Sequence, residues 1–310
     1  MHDIIILGSG PAGLTAALYG ARGAKKTLVL GGDQLGGQMA TIHSLENYPG
    51  TPAVNGAELA EVMKKQAEAF GAEFIFAEAG KIEIREPKAE SEGSVPGPRF
   101  SVVDKNGKEY ESRSVIIATG AKPRPLAVTG IREFMGRGVS YCATCDGFFY
   151  SGKDVIVVGG GNAALNDALY LADLARSVKI LYRKDRFSRG EQVLVDRVNA
   201  KENIRVMFNT EVAEVGGGAA GVEYAVTAAG EKIPVDGVFI AIGHEANTDY
   251  LSEDIKRDNM GRLSPAALPA GLFVAGDVQS DLKMQVATAV GAGCAAAMDA
   301  IVFLNKAVSG

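Results

Sequence analysis

Two glycine-rich turns, each set between a short apolar strand and an Ala-rich helical stretch, predict an α/β protein. The expected architecture is two Rossmann-like, three-layer dinucleotide-binding domains. The first turn follows the β-branched run Asp3-Ile4-Ile5-Ile6-Leu7 and reads Gly8-Ser9-Gly10-Pro11-Ala12-Gly13. A helix from Leu14 to Arg22 and the strand Thr27-Leu28-Val29-Leu30 come next. In such a turn the first glycine allows the tight bend and the second lets the backbone approach a pyrophosphate. The third lets helix and strand pack closely, and the helix N-terminus faces the phosphates. The glycines alone would fit any βα turn; strand, helix and second strand together favour the dinucleotide reading.

Gly36-Gly37-Gln38 and Glu46-Asn47-Tyr48-Pro49-Gly50 mark a loop over the nucleotide. Residues 57–70 read as an amphipathic helix with Leu59, Val62, Met63 and Phe70 inward. Short strands are expected around 73–76, 81–85, 99–103 and 109–110. Lys88 to Pro98, rich in Glu, Ser, Gly and Pro, reads as a solvated loop. Val115-Ile116-Ile117-Ala118-Thr119-Gly120 is a buried strand with a tight end. The pattern then restarts. Asp154-Val155-Ile156-Val157-Val158 leads into Gly159-Gly160-Gly161-Asn162-Ala163-Ala164, a helix to about Ala175 and the strand Val178-Lys179-Ile180-Leu181. After it, Tyr182-Arg183-Lys184-Asp185-Arg186-Phe187-Ser188-Arg189 crowds four cations where an NADP 2′-phosphate would lie. The competing reading is a solvated basic turn. Val238 to His244 and Leu272 to Asp277 return to the style of the first domain. A small-residue helix, Gln285 to Leu304, closes the chain, with Cys294 expected as a buried small hydrophobe.

Between the two turns stands Cys142-Ala143-Thr144-Cys145-Asp146-Gly147. Two thiols at this spacing can close and reopen a small disulfide ring. A helix N-terminus favours the reactive thiolate, and Asp146 is placed to pass a proton to or from a departing thiol. A zinc site would need four ligands. Cys294, His2, His43 and His244 remain as partners, and none has a metal-ligand spacing, so no metal is expected.

With 310 residues and 47% hydrophobic content the chain can bury two cores. A net charge of −5 without a long basic run argues against nucleic acid. Three cysteines argue against a secreted disulfide scaffold. No leader is evident and no apolar run is read as reaching the ~18 residues of a membrane span. A soluble cytoplasmic protein is expected.

The run Cys142 to Phe149, together with Gly8 to Gly13, Glu46 to Gly50, Ala118-Thr119-Gly120, Gly159 to Asn162, Ile242-Gly243-His244 and Ala275-Gly276-Asp277-Val278, resembles the low-molecular-weight thioredoxin reductases over essentially the whole length. The resemblance implies an FAD domain built from residues 1–120 and 245–310, with a nicotinamide-dinucleotide domain, 121–244, inserted between them. It implies FAD held at Gly8, Gly10, Pro11, Ala12, Gly13, Gly37, Gln38, Asn47, Ala118, Thr119, Gly120, Gly276, Asp277, Gln285 and Val286. NADPH would be held at Gly159, Gly161, Asn162, Ala163, Arg183, Lys184, Arg189, Ile242 and Gly243. Cys142 and Cys145 would be the redox pair, Cys145 next to the flavin, with Asp146 the acid. A homodimer, thioredoxin or a thioredoxin-like protein as partner, and a swing of the inserted domain about Gly120 and Gly243 are further implications. Two positions depart from the family pattern. The phosphate-binding run carries Tyr182, Lys184 and Ser188 where the family has His, Arg and Arg, and the last helix opens on Met284-Gln285 rather than Arg-Gln. The departures leave open a ferredoxin or deazaflavin donor. Dithiol oxidation and a non-catalytic redox sensor are the other readings, and the intact Cys-x-x-Cys-Asp with both turns favours a reductase.

Overall fold

The computed structural model describes residues 1–85 and 99–306. The chain divides into two compact units, residues 1–122 with 245–310, and residues 123–244. The Lys88–Pro98 loop lies outside the described residues.

In the first unit β1 (His2–Leu7) is followed by α1 (Pro11–Arg22) and β2 (Thr27–Leu30). After α2 (Gly56–Glu68) come β3 (Glu73–Ile75), β4 (Ala79–Arg85), β5 (Arg99–Asp104) and β6 (Glu109–Ile117). β1 is central, parallel to β2 on one side and β6 on the other. Ile4–Leu7 are buried on both faces, which is why the run is continuously apolar rather than alternating. Ile4 and Ile6 pack with α1 residues such as Ala16 and Ala17, whereas Ile5 and Leu7 pack with Phe100, Val102 and Ile117. The strands expected at 109–110 and 115–117 are one strand, β6, because its first half alternates buried and exposed residues while pairing antiparallel to β5.

The short strand β7 (Ala121–Pro123) leads into the second unit, which opens with β8 (Val139–Ser140) and α3 (Ala143–Asp146). Then come β9 (Asp154–Val158), α4 (Asn162–Ala172), β10 (Ser177–Tyr182), α5 (Gln192–Ala200) and β11 (Ile204–Phe208). A three-stranded antiparallel sheet, β12 (Val212–Gly218), β13 (Gly221–Thr227) and β14 (Lys232–Pro234), precedes β15 (Gly237–Ile240). The five-stranded sheet runs β11-β10-β9-β15-β8. β9 repeats the logic of β1: Val155 and Val157 face Leu165 and Leu171 of α4, and Ile156 and Val158 face Val215, Val222 and Ile233 of the antiparallel sheet. That small sheet was not anticipated; its Gly-rich segments carry too little apolar alternation to announce strands.

The chain leaves the second unit through β16 (His244–Ala246), which pairs with β7 in a two-stranded ribbon. Gly120 and Gly243, beside the ribbon, have φ of +62° and +106°. β17 (Leu272–Val274) then pairs with β6, and α6 (Val286–Lys306) packs on α1.

Four expectations need correction. Val62 and Phe70 are 53% and 54% exposed. Met63 is buried and Leu59 packs beside it as expected, but Gly56, Ala60 and Ala67 fill the rest of the inner face, because close approach needs small side chains there: a Cβ on Gly56 would lie 1.8 Å from the Met39 carbonyl oxygen. Cys294 is half-buried, one position off the α6 face formed by Gly293, Ala297 and Ala300. α4 ends at Ala172, short of Ala175. Finally, α6 is, at 21 residues, long and apolar enough to cross a membrane. Its inner face packs as a core helix, with Ala296, Ala297, Ala300 and Leu304 against β1 and α1 residues.

Candidate functional site

The first glycine turn has the build that a dinucleotide needs. Gly8 has φ +103°, and a Cβ there would stand 2.4 Å from the Ala118 carbonyl oxygen. A Cβ on Gly13 would stand 1.9 Å from the Gly8 carbonyl oxygen, so α1 and the turn touch only because neither residue carries a side chain. Gly10 differs: its nearest neighbour would be 4.0 Å away, leaving the backbone open. Gly10 is also the N-cap of α1, with Pro11 at the first helical position and no side chain capping the free N–H groups. Those donors and the helix dipole are available to an anion. The loop after β2 closes over this turn, Ser9 Oγ donating to the Gly31 carbonyl at 2.7 Å, while a Cβ on Gly37 would stand 3.6 Å from the Gly10 Cα.

The other residues expected around FAD converge on the same unit. Gln38 Nε2 donates to the Ala121 carbonyl at 2.7 Å, and Asn47 Nδ2 to Gln285 Oε1 at 3.1 Å. Thr119 Oγ1 donates to the Asn247 carbonyl, beside Ala118 and Gly120. Val286 packs on the cluster of Leu14 and Met39, and Gly276 brings its backbone within 2.8 Å, at a notional Cβ, of the Ala12 methyl. Asp277 follows directly. Burial pushes its carboxyl up to about 6, and no hydrogen-bond partner offsets that. A half-buried acceptor without a donor among the described residues fits the hydroxyls of a flavin's ribityl chain, so the residues present fit FAD.

The redox pair lies in the second unit. Cys142 and Cys145 form a disulfide. Cys142 is the N-cap of α3, its sulfur accepting from the Cys145 N–H at 3.2 Å. Cys142 is half-buried and Cys145 exposed. Gly147 anchors the turn on α4, where a Cβ would press on Tyr170 and Leu171. Asp146 Oδ2 accepts from Ser140 Oγ at 2.6 Å, and the same oxygen of Ser140 accepts from the Cys142 N–H at 3.0 Å. Ser140 was not singled out in the sequence; it stands six residues from Asp146, and only the reversal from β8 into α3 brings them together. Phe148 and Phe149, just beyond, are 75% and 69% exposed. Cys294 belongs to the other unit. No cluster of three metal-ligating side chains exists among the described residues.

The second glycine turn repeats the first with different completion. Gly159 has φ +144°, and its Cβ would stand 2.1 Å from the Ala241 carbonyl oxygen, next to Ile242 and Gly243. Gly161 is open, caps α4 without a side chain, and is bridged through its backbone to Arg189. Asn162 exchanges hydrogen bonds with Glu191, and Ala163 is exposed on the first turn of α4. Arg183, Lys184, Arg186 and Arg189 are exposed at the end of β10. Lys184 Nζ donates to Ser188 Oγ at 3.1 Å; none of the three arginines pairs with a carboxylate among the described residues. Tyr182, in contrast, is a core residue whose ring covers Gly160 and stacks on Phe187.

Two open dinucleotide turns in separate units and a Cys-x-x-Cys disulfide define a flavin- and nicotinamide-linked disulfide oxidoreductase. Consistent with this, residues 2–293 match the family described as Pyridine nucleotide-disulphide oxidoreductase, and the chain belongs to it. Within the family it falls with the low-molecular-weight thioredoxin reductases. It is 39% identical to the thioredoxin reductase of Mycolicibacterium smegmatis over 97% of this chain and 96% of that one. It is 40% identical to a bifunctional thioredoxin reductase/thioredoxin of Mycobacterium leprae, of which it spans 65%. Among solved structures, Lactococcus lactis thioredoxin reductase in its FR conformation matches with a TM-score of 0.90 at 33% identity, over 99% of this chain and 100% of that one. T. acidophilum thioredoxin reductase matches at 0.85 and 32%, over 97% and 98%.

Proposed function

We propose that this chain is an FAD-dependent thioredoxin-disulfide reductase fed by NADPH, acting as a homodimer in the cytoplasm. The observation that carries the reading is the accessible Cys142–Cys145 disulfide with Asp146 held beside it, in a unit that also carries a dinucleotide turn. FAD, when bound in the first unit, supplies a two-electron carrier between nicotinamide and disulfide. The free N–H groups of Gly10, Ala12 and Gly13 would hold its pyrophosphate and Asp277 its ribityl hydroxyls. In the reduced protein a cysteine thiolate attacks the disulfide of thioredoxin to give a mixed disulfide. The second thiolate then breaks that bond, re-forming Cys142–Cys145 and expelling thioredoxin's sulfur as a thiolate, which Asp146 protonates. Phe148 and Phe149 offer an exposed apolar surface to a protein substrate. The Mycobacterium leprae relative, a reductase joined to thioredoxin, supports thioredoxin as that substrate. A swing about Gly120 and Gly243 would let disulfide and nicotinamide reach one flavin in turn.

Tyr182 and Ser188 favour a second reading for the donor alone, ferredoxin or deazaflavin in place of NADPH. Anaerobic mixing with NADPH decides: bleaching of the flavin absorbance supports the first reading, and no bleaching supports the second. Thioredoxin turnover, lost in both Cys142→Ser and Cys145→Ser while flavin reduction survives, tests the disulfide step. Turnover that persists in either variant would overturn it. Gel filtration tests the dimer.

A further inference from the structure

We propose that Ser140 is a positioning residue that aims the Asp146 carboxyl at the thioredoxin sulfur that departs as Cys142–Cys145 re-forms; the inference rests on the disulfide-reductase reading. Ser140 is 5% exposed, at the end of the two-residue strand β8, where its backbone pairs with Phe239 of β15. One face of its hydroxyl is already used, accepting the Cys142 N–H at 3.0 Å in a local serine turn. Its single proton then has two acceptors in reach: Asp146 Oδ2 at 2.6 Å and the Cys142 carbonyl oxygen at 3.3 Å. The carboxylate is nearer and charged, so it holds the proton. A serine serving only to satisfy the backbone would need no carboxylate across the turn. Here one buried oxygen is fixed to the sheet, holds the amide of one redox cysteine and grips the acid that follows the other.

The arrangement has a second setting. When Asp146 carries a proton, that proton can be donated to Ser140 Oγ, and the serine hydroxyl can turn to the Cys142 carbonyl without any heavy atom moving. Ser140 therefore keeps the carboxyl in one place in both protonation states, before and after the proton passes to the sulfur. No electron moves through Ser140: the disulfide and thiols exchange as above, and the proton starts on Asp146 and ends on the thiol.

The test uses the holoenzyme reduced with stoichiometric dithionite and mixed anaerobically with oxidised thioredoxin. The chain contains no tryptophan, so thioredoxin's tryptophan emission reports the partner alone. Ser140→Ala should slow exchange about tenfold, the scale of a hydrogen bond to a charged group, with flavin content and donor-driven flavin reduction unchanged. In an Asp146→Asn background the same substitution should change the rate by less than about twofold, because the carboxylate through which Ser140 acts is gone. Ser140→Thr, which keeps the hydroxyl, should restore most of the rate. Equal slowing in both backgrounds, or loss of flavin or of its reduction in Ser140→Ala, would make Ser140 merely structural and overturn the inference. Undiminished exchange in Ser140→Ala would do the same. Failure of the wild-type protein to reduce thioredoxin at all would overturn the reductase reading and this inference with it.

Discussion

The two glycine turns share a backbone and differ in what completes them. A Cβ on Gly8 or on Gly159 would run into a carbonyl oxygen just past a later strand, Ala118 in one unit and Ala241 in the other. Gly10 and Gly161 are both open, and both helices start without a side-chain cap. Beyond that the units part. The first adds a half-buried carboxyl without a partner among the described residues, Asp277. The second adds exposed cations on a short turn. A desolvated carboxylate suits a neutral hydroxyl held permanently; solvated guanidinium groups suit a dianionic phosphate that must come and go. The backbone thus marks a dinucleotide, and the side chains around it set which one and how tightly.

The largest effect separating the two turns should come from Gly8→Ala, which meets main chain at a left-handed φ and has nothing to displace. The protein should purify without flavin or fail to fold, as absorbance at 450 nm will show. Gly161→Ala, with open space around it, should leave flavin content at the wild-type level and weaken reduction by NADPH, since the methyl fills space a pyrophosphate needs. Equal flavin content in the two variants would erase the difference between the two turns. Next, Arg183→Ala should raise the NADPH concentration for half-maximal flavin reduction about 10- to 100-fold, from a charge-assisted bond of roughly 1.5–3 kcal/mol. NADH should hardly respond; a common shift for both nucleotides would deny a phosphate site.

Asp277 sharpens the other side. Its folded pKa, about 6, lies above the ordinary 3.8, so the folded flavin-free protein holds the proton more tightly than the unfolded chain. That favours folding at low pH, and the advantage is lost as pH rises through about 6. Asp277→Asn should therefore raise the stability of the flavin-free protein at pH 7.5 by roughly 2 kcal/mol, at about 1.4 kcal/mol per pKa unit with some allowance for solvent. At pH 4.5 the gain should be much smaller. The same substitution should weaken flavin binding at pH 7.5. Denaturant melts at the two pH values check the first claim and flavin titration the second. Smallest of all, Ser188→Arg should tighten NADPH only about threefold, as exposed charges contribute up to ~1 kcal/mol. A greater gain would mean Ser188 faces the phosphate directly.

Much of this was legible in the chain because continuous apolar runs such as Ile4–Leu7 and Val155–Val158 admit one reading, a strand buried on both faces. The turns were legible because only glycine fits at Gly8, Gly13 and Gly159. The inward face of α2 was misread: Val62 and Phe70 are large and apolar, yet small Ala60 and Ala67 are what lets the helix lie close. The antiparallel sheet was missed because Gly216, Gly217 and Gly218 are strand residues without side chains to alternate. Ser140 was missed for a different reason. Its role depends on a carboxylate six residues away across a change of direction, which neither strand nor helix periodicity encodes.

The ribbon of β7 and β16 has one more consequence. Lys122 and Glu245, the residues on either side of the inserted stretch, are linked as an ion pair at 3.7 Å, and Lys122 also pairs with Asp249. The inserted stretch is therefore a cassette with a single point of splice. A two- or three-residue bridge from Lys122 to Glu245 should close the gap without disturbing the parallel sheet. The remainder would be a minimal yellow protein, a stand-alone flavin holder on which other catalytic cassettes could be seated.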